Sequence, residues 1–406
     1  MLFANRVPPK ARDAYTKDTW SGLTGNIAMG MTLPFVAVIA RKQLHASDIE
    51  IAVITMAPVA GSLFSLLWAN IMEGRRKMPF MVIPMLASRL LLFFFLFAYT
   101  SSSFVTIIVS MFLILSIAGP AYSALMKEIY PDSDRARIMG YVRIIAVGVY
   151  VPVTLISGWA LAHVSYRYFF AFAGLIGLVS PFIFNKIPTS ETSGDSNTKL
   201  GAFLHESVMT LRNDKGFLWF CAGIFVFGTV NLMATPIYIT YQVDKLGVNT
   251  HWSSYYATVT SILQVLAYGY WGSYIDRKSP MKAVAIAQLF WAVVPITYYF
   301  ATQPWMLLPT TILQGIILAA LELSYISGVL HYAPKDKVTQ YQAIFASLAA
   351  IRGIFGPYIG AVLVQSHVMS SKNLFLFVAA IMVFSYFIQI YGIRKYDGRK
   401  HTTITA

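Results

Sequence analysis

Apolar runs of about twenty residues, each closed by a short polar turn, recur along the whole chain. With a helical rise of about 1.5 Å per residue and a hydrocarbon core of about 30 Å, they predict twelve membrane-spanning helices. Their bounds fall near 20–39, 50–72, 80–99, 104–127, 139–162, 168–185, 217–240, 252–271, 281–301, 305–331, 341–366 and 373–394. The punctuation repeats as well. Pro34 and Pro236, Leu44 and Leu246, Pro79 and Pro280, and Pro131 and Pro334 are separated by 201 to 203 residues. The expected fold is therefore an all-α integral membrane protein of 12 transmembrane helices in two six-helix pseudo-repeat bundles, 1–185 and 216–406.

A polar stretch, 186–215, joins the halves and begins with the low-complexity run Thr189 to Asn197. Its second part places Leu200, Phe203, Leu204, Val208 and Leu211 at helical spacing, which predicts an amphipathic helix on the cytoplasmic surface. The other loops are too short for an extramembrane catalytic domain. Composition agrees: 57% of the 406 residues are hydrophobic and 12% charged, with mean hydropathy +0.62.

The net charge of +14 changes meaning once it is mapped onto the spans. With the N-terminus inside, 23 of the 31 Lys and Arg residues fall in cytoplasmic segments or at the cytoplasmic ends of spans (Lys127, Lys282 and Arg394), and 5 outside (Arg41, Lys42, Arg167, Lys245 and Lys372). Arg89, Arg143 and Arg352 lie further inside spans. This is the positive-inside asymmetry, which puts both termini in the cytoplasm and argues against nucleic-acid binding. The first span, preceded by Lys10, Arg12 and Lys17, reads as a retained helix and not a signal peptide. The single cysteine, Cys221, excludes an internal disulfide and a Cys-based metal cluster. The chain has no Asn-x-Ser/Thr acceptor, in keeping with a bacterial inner membrane.

The loops after the second and eighth spans carry a family resemblance. Trp68 to Lys77, with Gly74-Arg75-Arg76-Lys77, and Gly272-Ser273-Tyr274-Ile275-Asp276-Arg277-Lys278 resemble the paired Gly-x-x-x-Asp-Arg-x-Gly-Arg-Lys loops of the major facilitator superfamily. The second copy matches at Gly272, Asp276 and Arg277; the first has Ile71 where the acid is expected, with Glu73 two residues on. The resemblance implies that these residues latch the cytoplasmic helix ends through charge-assisted hydrogen bonds and helix-end dipoles, with Glu73, Arg75 and Arg76 the gating candidates of the first half. Gly356-Pro357-Tyr358-Ile359-Gly360 resembles the Gly-Pro-x-x-Gly motif that proton-coupled antiporters of the superfamily carry on helix five, but here it stands on the eleventh span. A small-x-x-x-small packing seam is the expected use.

Charge inside a span is costly and usually faces a cavity or a partner. Glu322 and Arg352 flank the Pro334 turn at matched depth, about 18–21 Å by helix rise. Two readings stand side by side: a structural ion pair, or a protonatable Glu322 modulated by Arg352. Gln314, Tyr325 and Glu322 share one face of the tenth span. Asn231, Thr235 and Tyr238 share one on the seventh beside Pro236, and Thr260, Gln264 and Tyr268 run at i, i+4 along the eighth. The first half offers Asn26 and Thr32, with Tyr122 and Ser123 on the fourth span. Arg89 lies near mid-membrane, where it can pair with backbone carbonyls or Asn26, or touch substrate; Arg143 is shallow enough to snorkel. For each polar residue singly, an interhelical hydrogen bond is as good an account as a ligand contact.

The chain contains no nucleophile elbow, His-Glu-x-x-His, phosphate loop or dinucleotide fingerprint, so no catalytic residues, metal or cofactor are expected, and an ion gradient is the implied energy source. The expectation is a monomeric secondary active transporter, not an enzyme, that moves a small organic solute by alternating access between the halves with H+ as partner ion. A lipid flippase or a non-transporting receptor or assembly factor of the same fold is the rival. The charge asymmetry makes a direct prediction: a cysteine placed at Ser193 should resist impermeant thiol reagents applied from outside, and ready labelling from that side would reverse the topology.

Overall fold

The computed structural model describes residues 2–64, 68, 71, 72, 75–131, 134–189, 209–334 and 337–396. Among these, all regular elements are helices. Ten helices are long and apolar enough to cross a membrane. The two further spans expected from the sequence fall at 50–72, part of which is outside the described residues, and at 252–271, which is helical throughout. The low-complexity run from Ser190 on and most of the expected amphipathic helix also lie outside them; 209–213 are helical.

The chain divides into two compact units, Met1–Asn197 with Val248–Thr258, and Thr198–Gly247 with Val259–Ala406. The first contains α1 (Arg12–Thr32), α2 (Val36–Leu44), α3 (Asp48–Leu63), α4 (Met78–Leu91), α5 (Ser101–Leu115), α6 (Ala118–Ile129), α7 (Arg135–His163), α8 (Tyr166–Gly177) and α9 (Val179–Phe184). The second contains α10 (Lys215–Asp244), α12 (Pro280–Trp291), α13 (Val293–Phe300), α14 (Leu308–Tyr332), α15 (Val338–Gln365) and α16 (Ser371–Tyr396), with most of α11 (Thr250–Arg277).

Proline and cap chemistry set the helix ends. Pro34 lacks an N–H and leaves the carbonyl of Gly30 free; the helix is interrupted there, and Thr154 Oγ1 of α7 donates to that carbonyl at 3.4 Å. Its repeat partner Pro236 lies inside an uninterrupted α10. Asp214 caps α10 by accepting from Phe217 N at 3.0 Å, and Ser279 with Pro280 at the first helical position starts α12. Thr100 and Ser103 form a capping box at α5.

In the first unit, Ser21 of α1 and Ser180 of α9 exchange hydrogen bonds, each hydroxyl donating to the other's carbonyl at 3.0 and 2.8 Å. An aromatic core of Phe95, Phe104, Tyr166 and Phe170 closes one end, where Tyr166 Oη donates to Ala98 O. In the second unit, Gly356 and Gly360 of α15 meet α10 directly. A Cβ on Gly356 would fall 2.9 Å from Leu232 Cβ and 3.0 Å from Thr229 O, and one on Gly360 would strike the backbone of Met233. The seam seen in the sequence is thus a backbone-to-backbone contact within this unit. Large apolar side chains such as Phe94, Phe97, Phe172 and Leu266 are more than half exposed, as a lipid-facing surface requires.

The seam can be tested by thermal unfolding in detergent. Gly360→Val should cost at least about 1–3 kcal/mol through overpacking. Gly269→Ala, where a Cβ meets nothing within 4 Å, should melt with the wild type or slightly above it. Similar melting of both variants would refute the contact.

Candidate functional site

Glu322 is half-buried on α14, and its carboxylate is held from α11. It accepts from Gln264 Nε2 at 3.1 Å and from Tyr268 Oη, and Gln264 Nε2 also donates to Tyr268 Oη at 3.0 Å. The helices come this close because Gly315 has no side chain: a Cβ there would lie 2.5 Å from Thr260 O and 2.8 Å from Leu263 Cβ. Thr260 Oγ1 adds a bond to Thr311 O at 3.3 Å. Thr311, Gly315 and Glu322 share one face of α14 and Thr260, Gln264 and Tyr268 one face of α11, and these two faces meet; of the tenth-span stripe read from sequence, Glu322 is the member bonded across this contact.

Arg352 does not join them. Its Nη1 donates to Ile224 O of α10 at 2.6 Å, and its guanidinium lies 5.9 Å from the Tyr325 ring centroid. Gly228 makes room, because a Cβ there would strike the guanidinium. Arg352, Gly356 and Gly360 follow one another at i, i+4 and i+8, so the arginine lies on the face of α15 that meets α10. The direct Glu322–Arg352 ion pair considered from sequence is absent among the described residues. Matched depth left the azimuth open, and the glycine seam turns the arginine to α10.

The remaining candidates of this unit sit in different surroundings. Tyr238 is buried in an aromatic seam with Tyr298, 4.2 Å between centroids, and Phe375, 5.2 Å. Asn231 and Thr235 are half-buried, with Thr235 Oγ1 donating to Asn231 O at 3.0 Å. Gln314 is half-buried on α14, and Tyr325 packs on Phe345. Gly272 and the exposed Arg277 end α11; the side chain of Asp276 lies outside what is described. Arg75 and Arg76 are exposed, and Glu73 is outside the described residues. Asp214 accepts from Tyr341 Oη at 3.0 Å.

In the first unit Asn26 turns back on α1, donating to Gly22 O at 2.7 Å. Arg89 is 4% exposed and lies among Gly25, Ala28 and Gly177; its Nε has no partner. Tyr122 donates to Asp18 at 3.3 Å, and Tyr130 donates to the same oxygen at 2.9 Å. Asp18 is 3% exposed. It was missed from sequence because it falls in the basic N-terminal stretch, before the apolar run. Its signal was spacing: Asp18, Ser21 and Gly25 fall on one stripe of a helix that starts earlier than hydropathy alone suggests.

The family model described as Major Facilitator Superfamily matches residues 20–258 and 220–403. Among solved structures, a point mutant of the nucleoside transporter NupG superposes with TM-score 0.77 at 12% identity, covering 93% of this chain and 99% of that one. A bacterial homolog of the human lysosomal transporter Spinster, inward-facing and occupied, superposes with TM-score 0.66 at 12% identity, covering 96% and 98%. No curated protein matches by sequence.

Double-mutant cycles on thermal stability separate the two assignments of Glu322. Glu322→Gln with Tyr268→Phe should couple by about 1–2 kcal/mol, whereas Glu322→Gln with Arg352→Gln should couple by less than about 0.5 kcal/mol. The reverse order would restore the ion pair.

Proposed function

We propose that this chain, which belongs to the Major Facilitator Superfamily, is a proton-coupled secondary active transporter of a small polar organic solute, working by alternating access. A membrane transporter is what the family and its structural neighbours support in general terms. One observation carries the finer reading: Glu322, within a membrane helix, is hydrogen-bonded to the neutral donors Gln264 and Tyr268. A carboxyl group can hydrogen-bond to such donors whether ionised or protonated, which supports a proton-carrying role.

On this reading, protonation of Glu322 weakens its hold on Gln264 and Tyr268, because the bonds lose their charge assistance, and an amide and a phenol can turn to solute. Gln314, on the same helix, extends that set, and Asn231 and Thr235 offer a further polar pair on α10. Arg352 stays bonded to α10, with its guanidinium 5.9 Å from the Tyr325 ring centroid. Arg89, Tyr122 and Asn26 have structural partners or packing and are assigned secondary roles. The latch role of Gly272, Asp276 and Arg277, with Glu73, Arg75 and Arg76, is retained from the loop resemblance. We place the chain, as a monomer, in a bacterial inner membrane with both termini inside. Nucleosides, the solutes named for NupG, are a reasonable first test class because amide and phenol groups match their hydroxyls and ring nitrogens.

In proteoliposomes with an imposed pH gradient, Glu322→Gln should abolish proton-driven accumulation while sparing solute exchange, which need not cycle the empty carrier. Gradient-driven uptake by this variant at the wild-type level would sink the assignment.

A further inference from the structure

Unit one has its own buried carboxylate, and the proton-coupling reading above does not use it. Asp18 lies six residues into α1, and the Tyr130 and Tyr122 hydroxyls converge on one of its oxygens. Tyr130 belongs to one apolar cluster with Tyr15, Met72, Met81, Met85, Leu125 and Met126, and Tyr122 packs against it. No cation is within ion-pair distance of Asp18 among the described residues. We propose that Asp18 is a second proton-binding site of this transporter, so that each unit carries one carboxylate poised by tyrosine hydroxyls: Asp18 with Tyr130 and Tyr122, Glu322 with Tyr268.

The chemistry follows from the surroundings. A carboxylate removed from water without a cation is costly, and two hydroxyl donors offset only part of that cost. Adding a proton removes the charge, and the acid O–H can then donate to a tyrosine oxygen whose own hydrogen rotates away. Both protonation states therefore have hydrogen-bond partners in the same cage.

Ionisable groups also stand on several of the elements packed against α1. Tyr15 lies on α1 and acts on Tyr130. On α7, Tyr141 acts on Tyr15 and Arg143 on Tyr122. Arg89 of α4 reaches α1 at Gly25, two turns beyond Asp18. Those of α8 (Tyr166, Arg167 and Tyr168) stand at its first turn, where Tyr166 bonds Ala98 O, and α9 contains none. Lys17 faces outward, paired with Asp13 at 2.6 Å. The donors that meet the Asp18 carboxylate are thus neutral phenols.

A two-proton stoichiometry rests on the proton-coupled reading of Glu322, while protonation of Asp18 can be measured without it. The experiment is an infrared pH titration of the full chain in nanodiscs, following the protonated-carboxyl band in the wild type, Asp18→Asn, Glu322→Gln and Tyr130→Phe. Asp18→Asn should lose a band component that Glu322→Gln keeps. Tyr130→Phe should move that component to higher pH, because one donor to the charged form is gone. In proteoliposomes the proton-to-solute ratio of Asp18→Asn should fall from two to one. A wild-type titration in Asp18→Asn would overturn the proposal. If Asp18→Asn does not fold, an unshifted midpoint in Tyr130→Phe would overturn it instead. Failure of the Glu322 reading would look different: the Asp18 component would titrate as expected, and Glu322→Gln would transport normally.

Discussion

The seam between α10 and α15 constrains much of the second unit. Two helices whose backbones touch at Gly356 and Gly360 have no freedom to rotate about their axes. Every other residue on α15 is then assigned a direction, and Arg352, one turn before Gly356, is aimed at α10. Gly228 on α10 accepts it, and the carbonyl of Ile224, one turn away, satisfies it. Helix association in lipid relies on such close fits, because apolar side chains gain little by leaving hydrocarbon tails for one another. The charge in this unit is therefore placed by packing before electrostatics acts on it.

Glu322 shows the same logic on a different pair of helices. Gly315 brings α14 against Thr260 and Leu263 of α11, and the carboxylate two turns further along α14 is carried to Gln264 and Tyr268. Satisfying a buried carboxylate with neutral donors has different consequences from a salt bridge. Hydroxyl and amide donors can bond a carboxyl group in either protonation state, whereas a cation pairs with the charged one. Asp18 in the first unit is satisfied in the same way.

The pseudo-repeat was visible in the spacing of prolines and leucines because helix ends in a membrane must recur at bilayer thickness. What equivalent positions do was not. Ser21 and Gly223 are 202 residues apart, yet Ser21 exchanges hydrogen bonds with Ser180 of α9 whereas Gly223 opens a notch filled by Gln389 of α16. Pro34 interrupts its helix and Pro236 does not. Positions equivalent by spacing thus meet different neighbours in the two halves.

Helix positions and membrane residence followed from the chain alone, since the length of an apolar run is a one-dimensional quantity tied directly to bilayer thickness. The polar stripes were legible too, because helical periodicity reveals which residues share a face. Which stripe meets which is a property of helix rotation and neighbour choice, and that depends on glycine contacts between segments distant in sequence. Gln264 and Tyr268 could therefore be read as a stripe and Glu322 as a deep acid, while their meeting, the diversion of Arg352 to Ile224 and the burial of Asp18 under two tyrosines were decided only in three dimensions.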